Sequence, residues 1–193
     1  MNIINNPDIK WVKGWYLDLH SISSFKAPDG SFNTTYTEIG KLVHEYKYQH
    51  KRELKQNLAE LLYRAIKSLD ELKNLSLITW VPPHNVQVNP VLEPIAIILS
   101  QIYGCDYAEL VKKNNDRESV KQKTKAEREK ILEGAFSLNQ QVCDKYSFKK
   151  VLMIDDLYQT GSTFKIISNL VSNNTKICLY GLVLTKTRKS PND

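Results

Sequence analysis

The chain has 193 residues, of which 41% are hydrophobic and 25% charged, so we expect one domain with a real hydrophobic core. Apolar runs fall well short of the ~20 residues that a membrane helix needs, and the opening stretch MNIINNPDIKWVKGW lacks the apolar segment of a signal peptide. We therefore expect a cytoplasmic protein without membrane contact. The net charge of +6 suits anionic partners, either nucleic acid or phosphorylated small molecules. Three distant cysteines predict neither a zinc site nor a disulfide framework: Cys105, Cys143 and Cys178.

The N-terminal part of the chain combines an aromatic, turn-rich segment with two predicted helices. The aromatic segment indicates short strands or irregular structure. Thr35 and Glu38 have the spacing of a capping box, which predicts the start of the first helix. Apolar residues at helical spacing from Lys51 to Leu72 predict the second. We expect residues 1–74 to form a hood with helices, whose aromatic rings either stack an acceptor base or serve core packing and partner contact.

From residue 75 onward, predicted strands and helices alternate. The run LSLITWV, which begins at Leu75, is typical of a strand that is covered on both faces. A helix is predicted to begin near Pro94 and to stop at Gly104. The remaining predicted segments are Tyr107–Val111 (strand), Ala135–Leu138, Lys150–Leu157 (strand), Thr163–Val171 (helix) and Lys176–Thr185 (strand). This order predicts an α/β fold with an open, mostly parallel sheet flanked by helices, in which residues 75–193 form the core of one integrated domain.

The stretch VLMIDDLYQTGSTF, residues 151–164, carries the strongest functional signal. Two neighbouring carboxylates, Asp155 and Asp156, repel each other and are costly to desolvate, so packing alone does not account for them. In parallel α/β sheets, ligands bind at the carboxyl ends of the strands, which is where these residues fall. Carboxylates at such an edge suit sugar hydroxyls or a magnesium ion.

The residues that follow are typical of an anion cradle. Gly161 can adopt a left-handed conformation and let the backbone approach a ligand closely. The hydroxyls of Thr160, Ser162 and Thr163 would join the free amides at a helix N-terminus. A ligand with both a phosphate and a vicinal diol, such as ribose 5-phosphate, satisfies the whole stretch. The alternative is an exposed turn followed by an ordinary helix cap. P-loop and dinucleotide motifs are absent, and a receiver domain needs more chain than follows Asp156.

This stretch closely resembles the phosphoribosyl pyrophosphate-binding motif of type I phosphoribosyltransferases, an apolar run followed by Asp-Asp-x-x-x-Thr-Gly-[Ser/Ala]-Thr. Gln159 departs from that pattern, since many members have Thr there. Further similarity to the ComF-like, competence-associated branch lies in VHEYKYQHKRELKQNLAELL, WVPPH and EREKILEGAFSL. The zinc-binding cysteine pairs that often open ComF-type chains are absent.

The resemblance implies a role for each matching position. Asp155 and Asp156 would act in catalysis by holding the ribose 2- and 3-hydroxyls, and would contact Mg²⁺ if it reaches them. The 5-phosphate would lie on Thr160, Gly161, Ser162 and Thr163. The pyrophosphate loop would include Pro83, His84 and Asn85. A basic stretch between Val111 and Lys130 would take the place of the mobile loop that closes over the pyrophosphate, and its candidate cations are Arg117, Lys121 and Arg128. Mg²⁺ would arrive with the substrate, and the family commonly forms homodimers.

These residues leave three functions open. The first is a phosphoribosyltransferase that binds magnesium phosphoribosyl pyrophosphate and transfers the phosphoribosyl group to a nitrogen acceptor. The second is a non-catalytic sensor or adaptor that uses the same site in DNA uptake or nucleotide metabolism. The third is a hydrolase or lyase that acts on a nucleoside phosphate. Residues 112–130 contain no aromatic side chain, which counts against direct binding of a nucleic-acid strand and leaves only a weak electrostatic attraction to nucleic acid open. For the same basic stretch, a solvated charged helix is the alternative to a mobile loop.

Overall fold

A computed structural model of the protein describes residues 1–83, 91–114 and 134–188. The strands are β1 (Asn2–Ile3), β2 (Lys13–Leu19), β3 (Ser21–Lys26), β4 (Phe32–Tyr36), β5 (Leu77–Trp80), β6 (Asp106–Tyr107), β7 (Val111–Lys113), β8 (Phe136–Leu138), β9 (Lys150–Tyr158) and β10 (Cys178–Lys186). The helices are α1 (Glu38–Tyr48), α2 (Lys55–Lys67), α3 (Glu93–Tyr103), α4 (Gln140–Lys145) and α5 (Ser162–Asn174). In this described part of the chain, no helix has the length and hydropathy needed to cross a bilayer.

A six-stranded sheet in the order β1-β2-β10-β9-β5-β6 forms the centre of the fold. All of its neighbouring strands are parallel except β1 and β2. The strand β9 is buried from Val151 to Ile154, because apolar side chains on both of its faces are covered. The predicted α/β fold with a mostly parallel sheet flanked by helices is therefore confirmed.

The N-terminal part contributes strands to this same sheet. β2 pairs in parallel with β10 from Lys13↔Tyr180 to Leu19↔Lys186, so the sheet extends across the predicted division at residue 74. β3 and β4 form a separate antiparallel hairpin that follows β2 at the carboxyl edge of the sheet. The hood over residues 1–74 stays a prediction.

Two local predictions were wrong. The first helix is capped by Thr37, whose Oγ1 accepts a hydrogen bond from the Gly40 amide at 3.0 Å, and not by Thr35, because β4 continues through that position. The single strand predicted from Tyr107 to Val111 is two strands in different sheets. Between the two strands the Leu110 amide donates to Thr79 Oγ1 at 3.1 Å, a side-chain hydrogen bond in place of a backbone ladder bond to β5.

Trp11 fixes the N-terminal segment against the sheet. Its ring lies over Gly14 and Gly181, which are paired in the register of β2 and β10, and it contacts the ring of Phe164 in α5 at a centroid distance of 5.0 Å. A Cβ atom on Gly181 would lie 2.1 Å from the Trp11 ring. The two glycines therefore provide the space that the indole occupies.

We predict that Gly181→Ala lowers the free energy of unfolding by about 1–3 kcal/mol, because the added methyl group overpacks the indole. In a Trp11→Leu background the same change should cost clearly less, since the clashing ring is gone. Urea unfolding followed by circular dichroism measures all four proteins of this cycle. Equal losses in both backgrounds would show that Trp11 is not what restricts Gly181.

Candidate functional site

The two adjacent carboxylates lie at the carboxyl edge of the sheet. Pairing of β5 with β9 ends at Trp80↔Ile154, and the Val81 amide donates to the Ile154 carbonyl at 3.0 Å. Asp155 is thus the first residue of β9 beyond the end of β5, although β9 continues beside β10 as far as Tyr158. Pro83 follows Val81 at this same edge.

Asp155 is a half-buried carboxyl group whose charge the site disfavours. Its Oδ1 accepts a hydrogen bond from the Asp156 amide at 2.9 Å. Burial, reinforced by the negative charge of Asp156, raises the pKa of Asp155 well above its ordinary value, while the Asp156 amide and Lys47 act in the opposite direction. A carboxyl group with a raised pKa lowers the free energy of unfolding at neutral pH. Side chains that bind ligands often have this property.

Asp156 is buried and forms an ion pair with the end of helix α1. Its Oδ2 lies 2.6 Å from Lys47 Nζ, and the side chains of Asp156 and Lys47 are 11% and 32% exposed. Burial alone would lower the pKa of Lys47, but the charge and hydrogen bond of Asp156 outweigh it, and the pKa is raised. Lys47 also lies in the last turn of its helix, where the dipole favours a cation.

Two further side chains, Thr185 and His20, support the backbone of Asp156. Thr185 Oγ1 donates to the Asp156 carbonyl at 2.9 Å and lies 3.0 Å from His20 Nδ1. Burial lowers the pKa of His20, and nearby His44 and Lys47 add to this, whereas Asp156 opposes it. The imidazole is therefore neutral at neutral pH. This arrangement fixes the backbone of Asp156 through a buried threonine.

The anion cradle has the predicted backbone geometry. Gly161 is left-handed, with φ of 81°, and α5 begins at Ser162 directly after it. The first α5 amide to join the helical pattern is that of Lys165, which donates to the Gly161 carbonyl at 2.9 Å. The Ser162 amide donates to Thr160 Oγ1 at 3.4 Å, and the hydroxyls of Thr160 and Ser162 lie 2.8 Å apart. Helix geometry leaves the next two amides, those of Thr163 and Phe164, without a partner inside the helix. This end of the helix can accept an anionic group.

The N-terminal segment also braces the cradle. A Cβ atom on Gly161 would lie 2.2 Å from Tyr158 Oη, so the loop fits closely over that ring. Asn6 Nδ2 donates to the same Tyr158 hydroxyl at 3.0 Å, and the Lys10 amide donates to the buried Ser168 Oγ of α5 at 2.8 Å. Residues far apart in the chain therefore hold the loop in place.

The structure brings together only part of the predicted site. One edge of the sheet holds Asp155, Asp156 and Pro83. The four residues of the anion cradle lie at the same edge: Thr160, Gly161, Ser162 and Thr163. The other predicted residues lie outside the described part of the chain: His84, Asn85, Arg117, Lys121 and Arg128. Sequence reasoning missed Lys47, His20 and Asn6. Lys47 does lie within the VHEYKYQH segment that carries the ComF-like resemblance, but no spacing rule links it to Asp156.

The carboxylates suit a magnesium ion that arrives with a ligand. Among the described residues, no group of three or more His, Cys, Asp or Glu side chains could hold a metal ion. Asp156 already has Lys47 as a partner, so the pair could add at most one or two oxygen ligands to an ion whose other ligands are phosphate oxygens and water. The residues fit a metal bound mainly by a diphosphate.

A separate depression of about 530 Å³ lies near the amino ends of the strands. Its lining includes Cys105, Asp106, Lys145 and Tyr146, and Asp106 is paired with Leu77 at the start of β5. This depression is thus at the opposite end of the sheet from Asp155, and it is not part of the candidate site.

Comparisons with known proteins support the fold. No protein-family model and no curated protein sequence matches the chain. Among solved structures, the chain is similar to glutamine phosphoribosylpyrophosphate (PRPP) amidotransferase from B. subtilis complexed with ADP and GMP, with 17% identity and a TM-score of 0.50 over 83% of this chain and 35% of that one. An allosteric regulatory enzyme of purine biosynthesis gives 16% identity and a TM-score of 0.52, over 83% of this chain and 34% of that one.

A crystal structure of adenine phosphoribosyltransferase matches over most of both chains. It gives 15% identity and a TM-score of 0.50, covering 86% of this chain and 85% of that one. By contrast, the present chain spans about a third of the length of the first two proteins. The fold is that of the type I phosphoribosyltransferases, and at these identities the likeness shows the fold alone.

We predict opposite stability effects for the two neighbouring carboxylates. Because the folded-state pKa of Asp155 is raised, the stability linked to its proton is complete below the unfolded pKa of about 4 and is lost as pH rises through the folded value. Asp155→Asn should therefore raise the free energy of unfolding at pH 7 and have little effect below pH 4. Asp156→Asn should lower it by about 1–2 kcal/mol at pH 7, because it breaks the partly buried ion pair. Urea unfolding at several pH values measures both, and a loss of stability for Asp155→Asn at pH 7 would contradict the assignment.

Proposed function

We propose that the protein binds phosphoribosyl pyrophosphate with magnesium and transfers the phosphoribosyl group to a nitrogen acceptor. One observation carries this proposal. A pair of acidic side chains at the end of strand β9 and the N-terminus of helix α5 are joined by one short loop at the carboxyl edge of a parallel sheet, in a fold of the phosphoribosyltransferase type.

Each half of the site suits one part of this ligand. The ribose hydroxyls would donate to the carboxylates of Asp155 and Asp156, which are acceptors when ionised. The 5-phosphate would accept hydrogen bonds from the amides at the start of α5, where the helix dipole also favours negative charge. Only three residues separate Asp156 from Thr160, so one ligand can reach both halves.

In the proposed reaction, a lone pair on the acceptor nitrogen forms a bond to the anomeric carbon. The bond from that carbon to the pyrophosphate oxygen breaks, and its electron pair leaves with the pyrophosphate. The nitrogen then loses a proton to solvent. The protein positions the ribose and stabilises developing charge. Bound magnesium would neutralise the diphosphate as it leaves.

Several finer assignments belong to this proposal. Arg117 and Lys121 would stabilise the leaving group, and Pro83, His84 and Asn85 would line the pyrophosphate loop. We also propose that the chain is ComF-like and that it forms a homodimer. The resemblance of the VHEYKYQH segment supports the ComF-like assignment, and the same segment contains Lys47, which forms the ion pair with Asp156.

Isothermal titration calorimetry of magnesium phosphoribosyl pyrophosphate tests the proposal. The wild type should bind saturably, and Asp155→Asn combined with Asp156→Asn should weaken binding by about a hundredfold or more, since both diol acceptors lose their charge. Asp70→Asn combined with Glu71→Gln makes the same change in net charge at a distant surface turn, and should bind like the wild type.

Turnover assays then separate the functions that share this site. Transfer to an acceptor base with release of pyrophosphate supports the phosphoribosyltransferase. Binding without turnover against a panel of acceptors supports the non-catalytic sensor or adaptor. Release of free base from a nucleoside phosphate, without pyrophosphate, identifies a hydrolase or lyase. Absence of binding by the wild type would overturn the proposal.

A further inference from the structure

We infer that Lys47 is a positioning residue of the candidate site, which holds the Asp156 carboxylate in place and offsets its charge so that a polyanionic ligand can enter. This inference rests on the proposed function. It adds to the site a residue of helix α1 that lies more than a hundred positions from the acidic motif in sequence.

The ion pair determines which part of Asp156 remains available. Lys47 Nζ contacts Oδ2 at 2.6 Å, which leaves Oδ1 as the oxygen outside this contact and the one that we assign to a ligand hydroxyl. The Thr185 hydroxyl fixes the Asp156 backbone through its carbonyl. With the backbone held on one side and Oδ2 on the other, the carboxylate has one orientation toward the ligand.

Helix α1 is itself firmly placed, so its lysine is not a freely moving surface charge. Val43 and Tyr46 lie three positions apart on the same face of α1, and they are 2% and 1% exposed. The Tyr46 hydroxyl also donates to the Val91 carbonyl at 2.9 Å. Because Tyr46 is anchored in the core, the fold directs the ammonium group of the next residue, Lys47, toward the Asp156 carboxylate.

Electrostatics give this lysine its role. The proposed ligand carries a phosphate and a diphosphate, and it would meet two carboxylates less than a Debye length of about 8 Å away. Four other titratable groups lie around the ion pair of Lys47 and Asp156. They are Asp155 from β9, His20 after β2, and His44 and Tyr48 from α1. The half-buried His20, whose pKa is lowered, supplies no compensating positive charge at neutral pH. Lys47 supplies it in direct contact with Asp156.

Calorimetry with two ligands of different charge tests this role. Lys47→Met should weaken binding of magnesium phosphoribosyl pyrophosphate by about tenfold to a hundredfold. Binding of ribose 5-phosphate, which carries fewer negative charges, should weaken less. The difference between wild type and variant should shrink as salt is raised from 0.05 to about 0.5 M. Lys47→Arg should restore most of the affinity, because it returns the positive charge.

Lys41→Met is the matched control, since it removes an exposed lysine from the same helix and should leave binding unchanged. Lys47→Gln provides a second neutral variant should Lys47→Met not fold, and circular dichroism checks both. Equal losses for the two ligands without rescue by arginine would reveal a merely structural role and overturn the inference. Wild-type affinity in Lys47→Met would overturn it as well, while the proposed function would stand. If the wild type itself bound neither ligand, the proposed function would fail first.

Discussion

The mutual repulsion of two carboxylates on consecutive residues is the constraint around which the site is organised. Asp155 and Asp156 continue a strand in which the four residues before them are completely buried, so both groups meet a poorly solvating environment. The surroundings of the two carboxyl groups differ. Asp156 has an ion pair with Lys47, whereas Asp155 has the amide of its neighbour and a raised pKa. This asymmetry is consistent with the proposed ligand, which would donate hydrogen bonds and bring its own cation.

The N-terminal segment is as much a part of this site as the motif itself. Its strand β2 extends the sheet beside β10, and the chain before that strand anchors the cradle through Asn6 and the Lys10 amide. The following helix delivers Lys47 to the carboxyl edge. Loss of the first 50 residues would therefore remove two strands from one side of the sheet, the contacts that brace the candidate anion cradle, and the ion-pair partner of Asp156.

Local signals in the sequence were sufficient for the strands β9 and β10 and for the helix α3. The apolar runs before Asp155 and after Lys176 predicted β9 and β10 to within two residues, and Pro94 and Gly104 marked the ends of α3. The left-handed Gly161 and the helix start after it also followed from local residue types. Each of these features depends on neighbours within one turn or one strand, which is what a sequence pattern records.

Contacts between segments that are distant in the sequence could not be predicted from local residue patterns. The ion pair of Lys47 with Asp156 and the hydrogen bond of Asn6 with Tyr158 join residues more than a hundred positions apart, and either lysine or asparagine is commonplace on a surface. The capping threonine was misplaced for a related reason: both Thr35 and Thr37 suit a cap, and the extent of the β3–β4 pairing decides between them. Tertiary structure determined these features, and local propensity did not.

A crystal structure with magnesium phosphoribosyl pyrophosphate tests the central claim most directly. We predict the 5-phosphate within about 2.7–3.2 Å of the first amides of α5, with the ribose hydroxyls on Asp155 and Asp156 and the diphosphate turned toward Pro83. Density for the ligand elsewhere, for instance in the depression beside Asp106 and Tyr146, with the carboxyl edge empty, would contradict the account.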